Sequence, residues 1–325
     1  MPAGMKGVAA DEVAKFASLQ KHWWDPTGPL RSLHLLNPIR VRYVNNIVRS
    51  FGNVGGSSCD TSIGFSRDSG LTPQHQVLDV GCGGGILAES LARIGGTVTG
   101  IDACAESIEV AEKRRQQLEA NFIASSQAFN WPQRLSYRHV SLFDVVEQEK
   151  RQFDVVVASE VIEHVSDARA FLQALCEATK PGGLLFLSTM DKSLKTAIAY
   201  IGVAEMLTGL VEPGTHDWRK FIPPDDVTKF AQRFGVRKVD QHYIVTYPDV
   251  CQSFVSCNFQ VNFCLSKHVN TGHYLWAGRK SSPEAGMQAS VPPGEGCVPH
   301  APECNENEFS LQPRGNGSAD ATESS

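Results

Sequence analysis

The chain has 325 residues, a formal net charge of −5 and 42% hydrophobic residues. This length suffices for one large domain or two small ones with a sizeable core. The charge balance argues against nucleic acid as a main partner, because no long run of lysine or arginine offers the clustered positive charge that phosphates attract. The nine cysteines include no pair at CxxC spacing, which fits a reducing compartment better than a disulfide framework or a zinc site.

Targeting segments are not visible in the sequence. No run of about 18 consecutive apolar residues is present, so we expect no membrane span. Residues 1–16 lack the apolar core of a secretory signal, and Asp11 and Glu12 differ from the acid-poor composition of a mitochondrial presequence. The sequence predicts that the chain is not imported by these routes, or that it begins after or without its targeting segment.

Residues 1–51 are predicted to form an N-terminal helical cap with two helices. The first covers 11–24, where apolar residues recur at helical spacing, and the second covers 38–51. Asn37 is the predicted N-cap of the second helix, with Pro38 at the first helical position. Trp23 and Trp24 are expected to pack the cap over the ligand that the following domain binds. Residues 52–75 are predicted to be a flexible loop, because the stretch is rich in glycine and serine.

From residue 76 onwards, short apolar runs alternate with longer amphipathic stretches. Strands are predicted at 77–80, 97–102, 135–140, 153–159 and 184–189, and helices at 86–94, 105–120 and 167–179. This alternation is typical of an α/β fold, with a mostly parallel sheet covered by helices on both faces. Segments at 236–246, 257–266 and 275–279 are candidates for the last strands of a domain over 76–280. Residues 281–325 contain few large apolar residues and are predicted to be a disordered tail.

Four glycines follow the first predicted strand. In VLDVGCGGGILAESLA, residues 77–92, they are Gly81, Gly83, Gly84 and Gly85. Glycine lets the backbone approach a ligand closely, and the next helix presents free N–H groups there. In open parallel sheets, ligands bind at the carboxyl ends of the strands. The stretch therefore predicts a site for a nucleotide-like ligand, the alternative being a plain tight turn.

The glycine spacing helps to choose that ligand. The dinucleotide fingerprint GxGxxG is incomplete, because Ile86 stands where the third glycine would be. Asp102 ends the second strand and can accept hydrogen bonds from both ribose hydroxyls of NAD or of S-adenosylmethionine, unless it is a solvated loop acid. The pattern DVGCGGG followed by TVTGID favours S-adenosylmethionine.

The stretch ASEVIEHV, residues 158–165, follows the strand at 153–159 and lies at the same sheet edge. Glu160, Glu163 and His164 would share one face in helical geometry. They are suited to binding a divalent metal or to supplying a general base, and they are equally suited to capping or packing the next helix. The oxygen ligands favour Mg²⁺ or Mn²⁺ and the imidazole favours Zn²⁺ or Fe²⁺, so the residue types leave the metal open.

Five stretches together resemble the ubiquinone biosynthesis O-methyltransferase family, over roughly residues 11–280. They are KHWWDPTGPLRSLHLLNPIRVRYV, LDVGCGGGILAESLARIGGTVTGID, FDVVVASEVIEHV, KPGGLLFLSTMDKSLKT and GTHDWRKFIPPDDV. The resemblance implies a Rossmann-like class I methyltransferase fold and S-adenosylmethionine as methyl donor. It implies methylation of catechol hydroxyls on 3,4-dihydroxy-5-polyprenylbenzoate and on demethylubiquinol.

The resemblance also implies roles for individual residues. Arg40 would approach the carboxylate of the donor, Gly81 its methionine part and Asp102 its ribose, while Ser159 would line the donor pocket. Glu160, Glu163 and His164 match the metal ligands proposed for the family, with Mg²⁺ as the usual ion, which would hold both catechol oxygens. Without a metal, His164 is the candidate general base.

A polyprenyl tail requires contact with a membrane. The apolar segment 194–211, within an insertion near 192–222, is predicted to be an interfacial or lid helix, or alternatively an ordinary buried helix. His216, Asp217 and Trp218 are candidates for the border of the acceptor site. The resemblance implies peripheral attachment to the matrix side of the mitochondrial inner membrane and membership of a multiprotein ubiquinone biosynthesis complex.

Three other functions remain open from the sequence. A methyltransferase of a soluble acceptor would not need the apolar segment 194–211. A non-catalytic lipid-binding assembly subunit would not need the intact set of Glu160, Glu163 and His164. An NAD-dependent oxidoreductase is disfavoured by Ile86.

Overall fold

The computed structural model describes residues 13–14, 17–51, 69–124, 131–191, 222–248 and 261–282. All of them belong to the first of two units, residues 1–290, whereas the second unit, 291–325, lies outside the described residues. The predictions for 52–68, for the segment 194–211, for His216, Asp217 and Trp218 and for the tail after 282 likewise fall outside them. None of the described helices combines the length and apolar character needed to cross a bilayer.

An eight-stranded mixed sheet organises the described residues, in the order β3-β2-β1-β4-β5-β8-β6-β7. The strands are β1 Gln76–Val80, β2 Thr97–Asp102, β3 Leu135–His139, β4 Phe153–Ser159, β5 Thr179–Met190, β6 Val236–Pro248, β7 Val261–Ser266 and β8 His273–Lys280. The first five pair in parallel, and β8, β6 and β7 extend the sheet by antiparallel pairing. β1 therefore has β2 on one side and β4 on the other, and the strand order reverses at this point. Such a reversal leaves a crevice at the carboxyl ends of the strands.

Within the described residues, six α-helices cover the sheet. They are α1 Arg31–Ser50, α2 Ile86–Arg93, α3 Ala105–Ala124, α4 Leu142–Glu147, α5 Ala168–Ala178 and α6 Pro224–Gln232. Short 3₁₀ turns lie at Gln20–His22, Trp131–Arg134 and Ile162–His164. Side chains of α1 and α2 contribute to one hydrophobic cluster and those of α4, α5 and α6 to another.

Alternate residues of the central strands supply these two clusters. On β1, Val77 belongs to the cluster of α1 and α2, whereas Leu78 and Val80 belong to the cluster of α4 to α6. All three are at most 3% exposed. Because successive side chains of a strand point to opposite faces, this division shows that both faces of the sheet are covered. The predicted α/β fold, a mostly parallel sheet with helices on both faces, is confirmed.

Element positions agree with the sequence at the parallel core and differ at its ends. β2 and β4 have the predicted bounds, and the predicted helices at 86–94 and 105–120 become α2 and α3. β5 begins at Thr179, directly after α5, five residues before the predicted start. The apolar pattern identified only the fully buried part of this strand.

The start of α1 contradicts the predicted cap. The helix begins at Arg31, so Pro38 lies inside it, and the prediction of Asn37 as N-cap was wrong. Instead, the Asn37 amide donates to the Ser90 hydroxyl at 2.8 Å and to the Ile86 carbonyl oxygen at 3.3 Å, which ties α1 to α2. An asparagine directly before a proline can therefore serve a hydrogen bond between two helices and does not have to mark the start of a helix. The first predicted helix also ends early, because Gln20–His22 is a 3₁₀ turn.

The end of the predicted loop 52–75 is packed against the domain. Leu71 is 1% exposed, and Nδ1 of the buried His75 accepts from the backbone N–H of Thr72 at 3.0 Å. These contacts fix the position of the residues that lead into β1.

We expect Asn37→Ser to lower the free energy of unfolding by about 1 kcal/mol, because serine is too short to reach α2 and the hydrogen bonds to Ser90 and Ile86 are lost. A true N-cap would tolerate serine. Asn46→Ser is the matched control, since Asn46 lies exposed on the same helix. Urea unfolding of both variants measures the difference, and equal midpoints would contradict the bridging role.

Candidate active site

Three chain segments meet at the carboxyl edge of the parallel strands. β1 ends before Gly81, β2 ends at Asp102 and β4 ends before Glu160. β1 pairs with both β2 and β4, with Asp79 opposite Gly100 on one side and Val157 on the other. The strand pairing itself thus brings together the glycine turn, Asp102 and the 160–164 turn, as the sequence predicted.

The glycine turn requires glycine for two reasons. Gly81 and Gly83 have φ of +70° and +52°, the left-handed region that other residues rarely adopt. A Cβ on Gly81 would lie 2.5 Å from Cγ2 of Val161, so the turn is pressed against the 160–164 segment. The backbone N–H of Gly81 donates to the carbonyl oxygen of Ile101 at 2.8 Å, which fastens the turn to the end of β2.

Asp102 closes the turn from the side of β2. Its carboxylate accepts from the backbone N–H of Gly83 and from that of Cys104, both at 2.8 Å. Burial raises the pKa of Asp102, and these two N–H groups oppose the shift. Each carboxylate oxygen has a second lone pair. Asp102 is therefore oriented by the protein and keeps acceptor capacity for the hydroxyls of a ligand.

Asp79 is a buried acid near the end of β1, two residues before Gly81, and its position directly before the glycines is a sequence feature that favours S-adenosylmethionine. It is 2% exposed, and its Oδ2 has no hydrogen-bond partner among the described residues. Burial raises its pKa to about 7, Asp102 adds to the shift, and the nearby charge of Arg40 opposes it. A buried polar atom without a partner is uncommon, and this oxygen is suited to accept a hydrogen bond from a ligand.

Arg40 of α1 lies among the acids of this edge. Its side chain is buried, and its Nη2 is 3.6 Å from Oε1 of Glu160. Its charge also opposes the rise that burial causes in the pKa values of Asp79 and Glu163. The structure therefore places Arg40 beside the predicted site, and its contact with the carboxylate of a donor stays a prediction.

Glu160 is held in a strained conformation by β5 and β8. Its φ of +56° is left-handed, and its backbone N–H donates to the carbonyl oxygen of Ser188 at 3.0 Å. Its Oε1 lies 2.6 Å from the Ser188 hydroxyl and 2.8 Å from Nε2 of His273. Burial alone would raise the pKa of Glu160, but His273, Arg40 and the Ser188 hydrogen bond together hold it well below its usual range.

Glu163 has the opposite electrostatic character. Burial, reinforced by the negative charge of Glu160, raises its pKa to about 8. Its Oε2 accepts from the Thr189 hydroxyl at 3.0 Å, while its Oε1 has no hydrogen-bond partner among the described residues. The next residue, His164, is partly exposed and fixes the turn through its backbone N–H to the carbonyl oxygen of Val161.

The predicted metal ligands do not form a ready metal site in this arrangement. A divalent cation needs several oxygen or nitrogen atoms to converge on one point. Within the part of the chain that the structure describes, no three His, Cys, Asp or Glu side chains converge in that way. Oε1 of Glu160 instead faces Ser188 and His273. Glu160, Glu163 and His164 therefore do not fit a metal as placed here.

The two N-terminal tryptophans pack onto the glycine turn. Nε1 of Trp24 donates to the carbonyl oxygen of Gly84 at 3.1 Å, and Arg114 stacks 3.9 Å above the Trp24 ring. A Cβ on Gly83 or Gly84 would collide with Trp23. The segment before α1 therefore supports the turn directly.

Several residues of the site were absent from the sequence predictions. Ser188 and Thr189 lie at the carboxyl end of β5, so their place next to β4 was a usable signal. Ser188 also meets the predicted Ser159, with 2.8 Å between the hydroxyl oxygens. His273 gave no such signal, because it arrives on an antiparallel strand 113 residues after Glu160.

The known proteins to which this chain is similar are methyltransferases. A methyltransferase domain family matches residues 59–241. The ubiquinone biosynthesis O-methyltransferase of Methylobacterium nodulans is 38% identical over 240 residues, which cover 73% of this chain and 86% of that protein. The protein of the same name from Dinoroseobacter shibae is 36% identical over 249 residues, covering 76% and 90% respectively.

Among solved structures, the magnesium protoporphyrin IX methyltransferase of Synechocystis with bound SAH aligns with a TM-score of 0.48 and 17% identity, over 82% of this chain and 95% of that one. The sequence relatives match over most of their own length. The chain therefore belongs to the ubiquinone biosynthesis O-methyltransferase family and is an S-adenosylmethionine-dependent methyltransferase.

Proposed function

We propose that the chain methylates catechol hydroxyls on polyprenylated rings, with 3,4-dihydroxy-5-polyprenylbenzoate and demethylubiquinol as acceptors. The observation that carries the proposal is the meeting of the glycine turn, Asp102 and the 160–164 turn at one sheet edge, in a chain that aligns with most of the length of relatives named for ubiquinone biosynthesis.

The donor would lie along the glycine turn with its ribose at Asp102. Asp79 supplies a buried carboxylate oxygen without a partner among the described residues, which suits the ammonium of the methionine part. Gly81 lets the backbone approach that part, and Ser159 lies at the end of β4 beside it. The acidic surroundings suit a donor that carries both an ammonium and a sulfonium.

The reaction is an in-line displacement at the methyl carbon of the sulfonium. The acceptor oxygen forms a bond to carbon as the carbon–sulfur bond breaks, and the phenolic proton passes to a base. The protein contributes by holding the oxygen in line with the methyl group. His164 is the proposed base, because its partly exposed imidazole can be reached by an acceptor and imidazole accepts protons near neutral pH.

The proposed reaction has no step through a metal, because the predicted ligands do not converge on one. The prediction of Mg²⁺ at Glu160, Glu163 and His164 belongs to this proposal as a part to be tested separately. A bound cation would supply Lewis acidity towards the catechol oxygens.

The polyprenyl acceptor supports three further parts of the proposal. They are peripheral membrane contact through 194–211, a place on the matrix side of the mitochondrial inner membrane, and membership of a multiprotein ubiquinone biosynthesis complex. The apolar composition of 194–211 supports the first part. The other two are what the family resemblance implies.

We expect methyl transfer from labelled S-adenosylmethionine to a short-chain polyprenyl dihydroxybenzoate. If His164 is the base, EDTA leaves the rate unchanged, and His164→Gln lowers kcat about 100-fold or more while the Kd of S-adenosylhomocysteine stays the same. Loss of activity with EDTA and recovery with Mg²⁺ would instead assign the metal role. Transfer only to soluble catechols would contradict the polyprenyl acceptor.

We expect S-adenosylhomocysteine to bind more tightly as the pH rises from 6 to 8. The pKa of Asp79 is raised to about 7, so the carboxylate gains its negative charge in this range and attracts the ammonium of the ligand. Calorimetry should show a flat profile for Asp79→Asn. Glu163→Gln is the control that keeps the rise near pH 7, and a rise that persists in Asp79→Asn would refute the assignment.

We expect the full chain to float with liposomes that contain anionic lipid and polyprenyl quinone. Replacing Ile198, Ile201 and Leu207 of the segment 194–211 by serine should abolish flotation, because it removes apolar area from the interface. Ile123→Ser is the control, since Ile123 is an exposed apolar residue elsewhere. Equal flotation of all three proteins would contradict the membrane role of the segment.

A further inference from the structure

His273 is a buried side chain at the candidate active site that neither the sequence nor the proposed reaction uses. It is 2% exposed, and its Nε2 lies 2.8 Å from Oε1 of Glu160. The two residues are 113 positions apart. β8 thus brings an imidazole to a buried carboxylate from a distant part of the sequence. We therefore look for the role of His273 in its effect on Glu160.

The strand pairing fixes the position of this imidazole. His273 begins β8 and is paired with Met190 at the carboxyl end of β5. The preceding Gly272 has a φ of +86°, and its N–H donates to Oδ1 of Asn270 at 2.9 Å. The backbone N–H of Asp191 donates back to the carbonyl oxygen of Gly272. The turn and the antiparallel ladder therefore leave His273 little freedom.

Glu160 needs such support. Its left-handed backbone, with φ of +56°, is unfavourable for a residue with a Cβ and persists only where the surroundings hold it. The Ser188 hydroxyl and the His273 imidazole meet the same carboxylate oxygen, Oε1. The charged group of Arg40 lies on this oxygen too, at 3.6 Å. Of these three, His273 alone comes from the antiparallel half of the sheet.

We propose that His273 is a positioning residue for methyl transfer, which fixes the Glu160 carboxylate and through it the 160–164 turn that carries the proposed base. This inference rests on the proposed function. Its effect passes through Glu160 and requires no contact between His273 and either substrate. Displacement of a catalytic group by about 1 Å is enough to slow a reaction by about two orders of magnitude.

We expect His273→Ala to lower kcat at least tenfold, with the Kd of S-adenosylhomocysteine changed less than threefold. Imidazole in the buffer should restore part of kcat by filling the space beside Glu160. His273→Gln, which keeps a side-chain N–H donor, should retain more activity than His273→Ala. The rates are measured with the polyprenyl acceptor and with a soluble catechol, so that an unsuitable acceptor does not hide the effect.

His75→Ala is the matched control. His75 is comparably buried, but it lies directly before the start of β1, whereas Glu160 lies at the carboxyl ends of the strands. It should lose thermal stability without a specific fall in kcat and without a response to imidazole. If both variants lose kcat alike and imidazole rescues neither, or if His273→Ala keeps the wild-type kcat, His273 has no positioning role.

A spectroscopic measurement tests the contact without any methylation. In the full chain labelled with ¹⁵N-histidine, the His273 signal is identified by its loss in His273→Gln, and we expect it to shift in Glu160→Gln. Asp240→Asn should instead shift His242, whose Nδ1 lies 2.7 Å from Asp240. A His273 signal unmoved by Glu160→Gln would refute the contact, whereas a shifted signal in a chain inactive on every acceptor would count against the proposed function alone.

Discussion

Buried negative charge at the carboxyl ends of β1, β2 and β4 is the constraint on which the site depends. Asp79, Asp102, Glu160 and Glu163 all lie at this edge of a sheet whose interior is apolar. The two glutamates differ in their protonation. Glu160 is ionised beside cationic and hydrogen-bonding groups. Burial raises the pKa of Glu163 to about 8, and the negative charge of Glu160 adds to this rise. One ionised carboxylate makes the ionisation of the next one harder.

The glycine turn at the same sheet edge is supported by side chains from other parts of the chain. Glycine provides the backbone approach but no side chain of its own, so packing must come from elsewhere. Trp24 holds the carbonyl of Gly84, Arg114 stacks on Trp24, and Arg114 also donates to the buried Glu89 of α2 at 3.0 Å. The N-terminal segment thus packs against the glycine turn, where Trp23 forms a small hydrophobic cluster with Leu30 and Ile86.

Local patterns in the sequence were enough to predict the parallel half of the sheet, because each buried strand and its following helix have a distinct period. They also predicted that Asp102 and Glu160 would meet at one edge. They could not predict His273 or the start of α1. The partner of His273 is 113 residues away, and Asn37 before Pro38 has the local chemistry of a helix cap while its amide is used in a tertiary bond. Residues whose role depends on antiparallel pairing or on a second helix carry no local signal.

Methyl transfer removes one positive charge from the donor, and this loss changes how strongly the acidic edge attracts it. The donor brings a sulfonium and an ammonium, whereas the demethylated product keeps only the ammonium. Negative charge at this edge attracts the sulfonium of the donor as well as its ammonium, and the attraction to the sulfonium is lost as the methyl group leaves. A site built from carboxylates then releases its product more readily than its substrate. Ser188 of β5 and His273 of β8 hold the Glu160 carboxylate, so one of the acids of this edge keeps a fixed position.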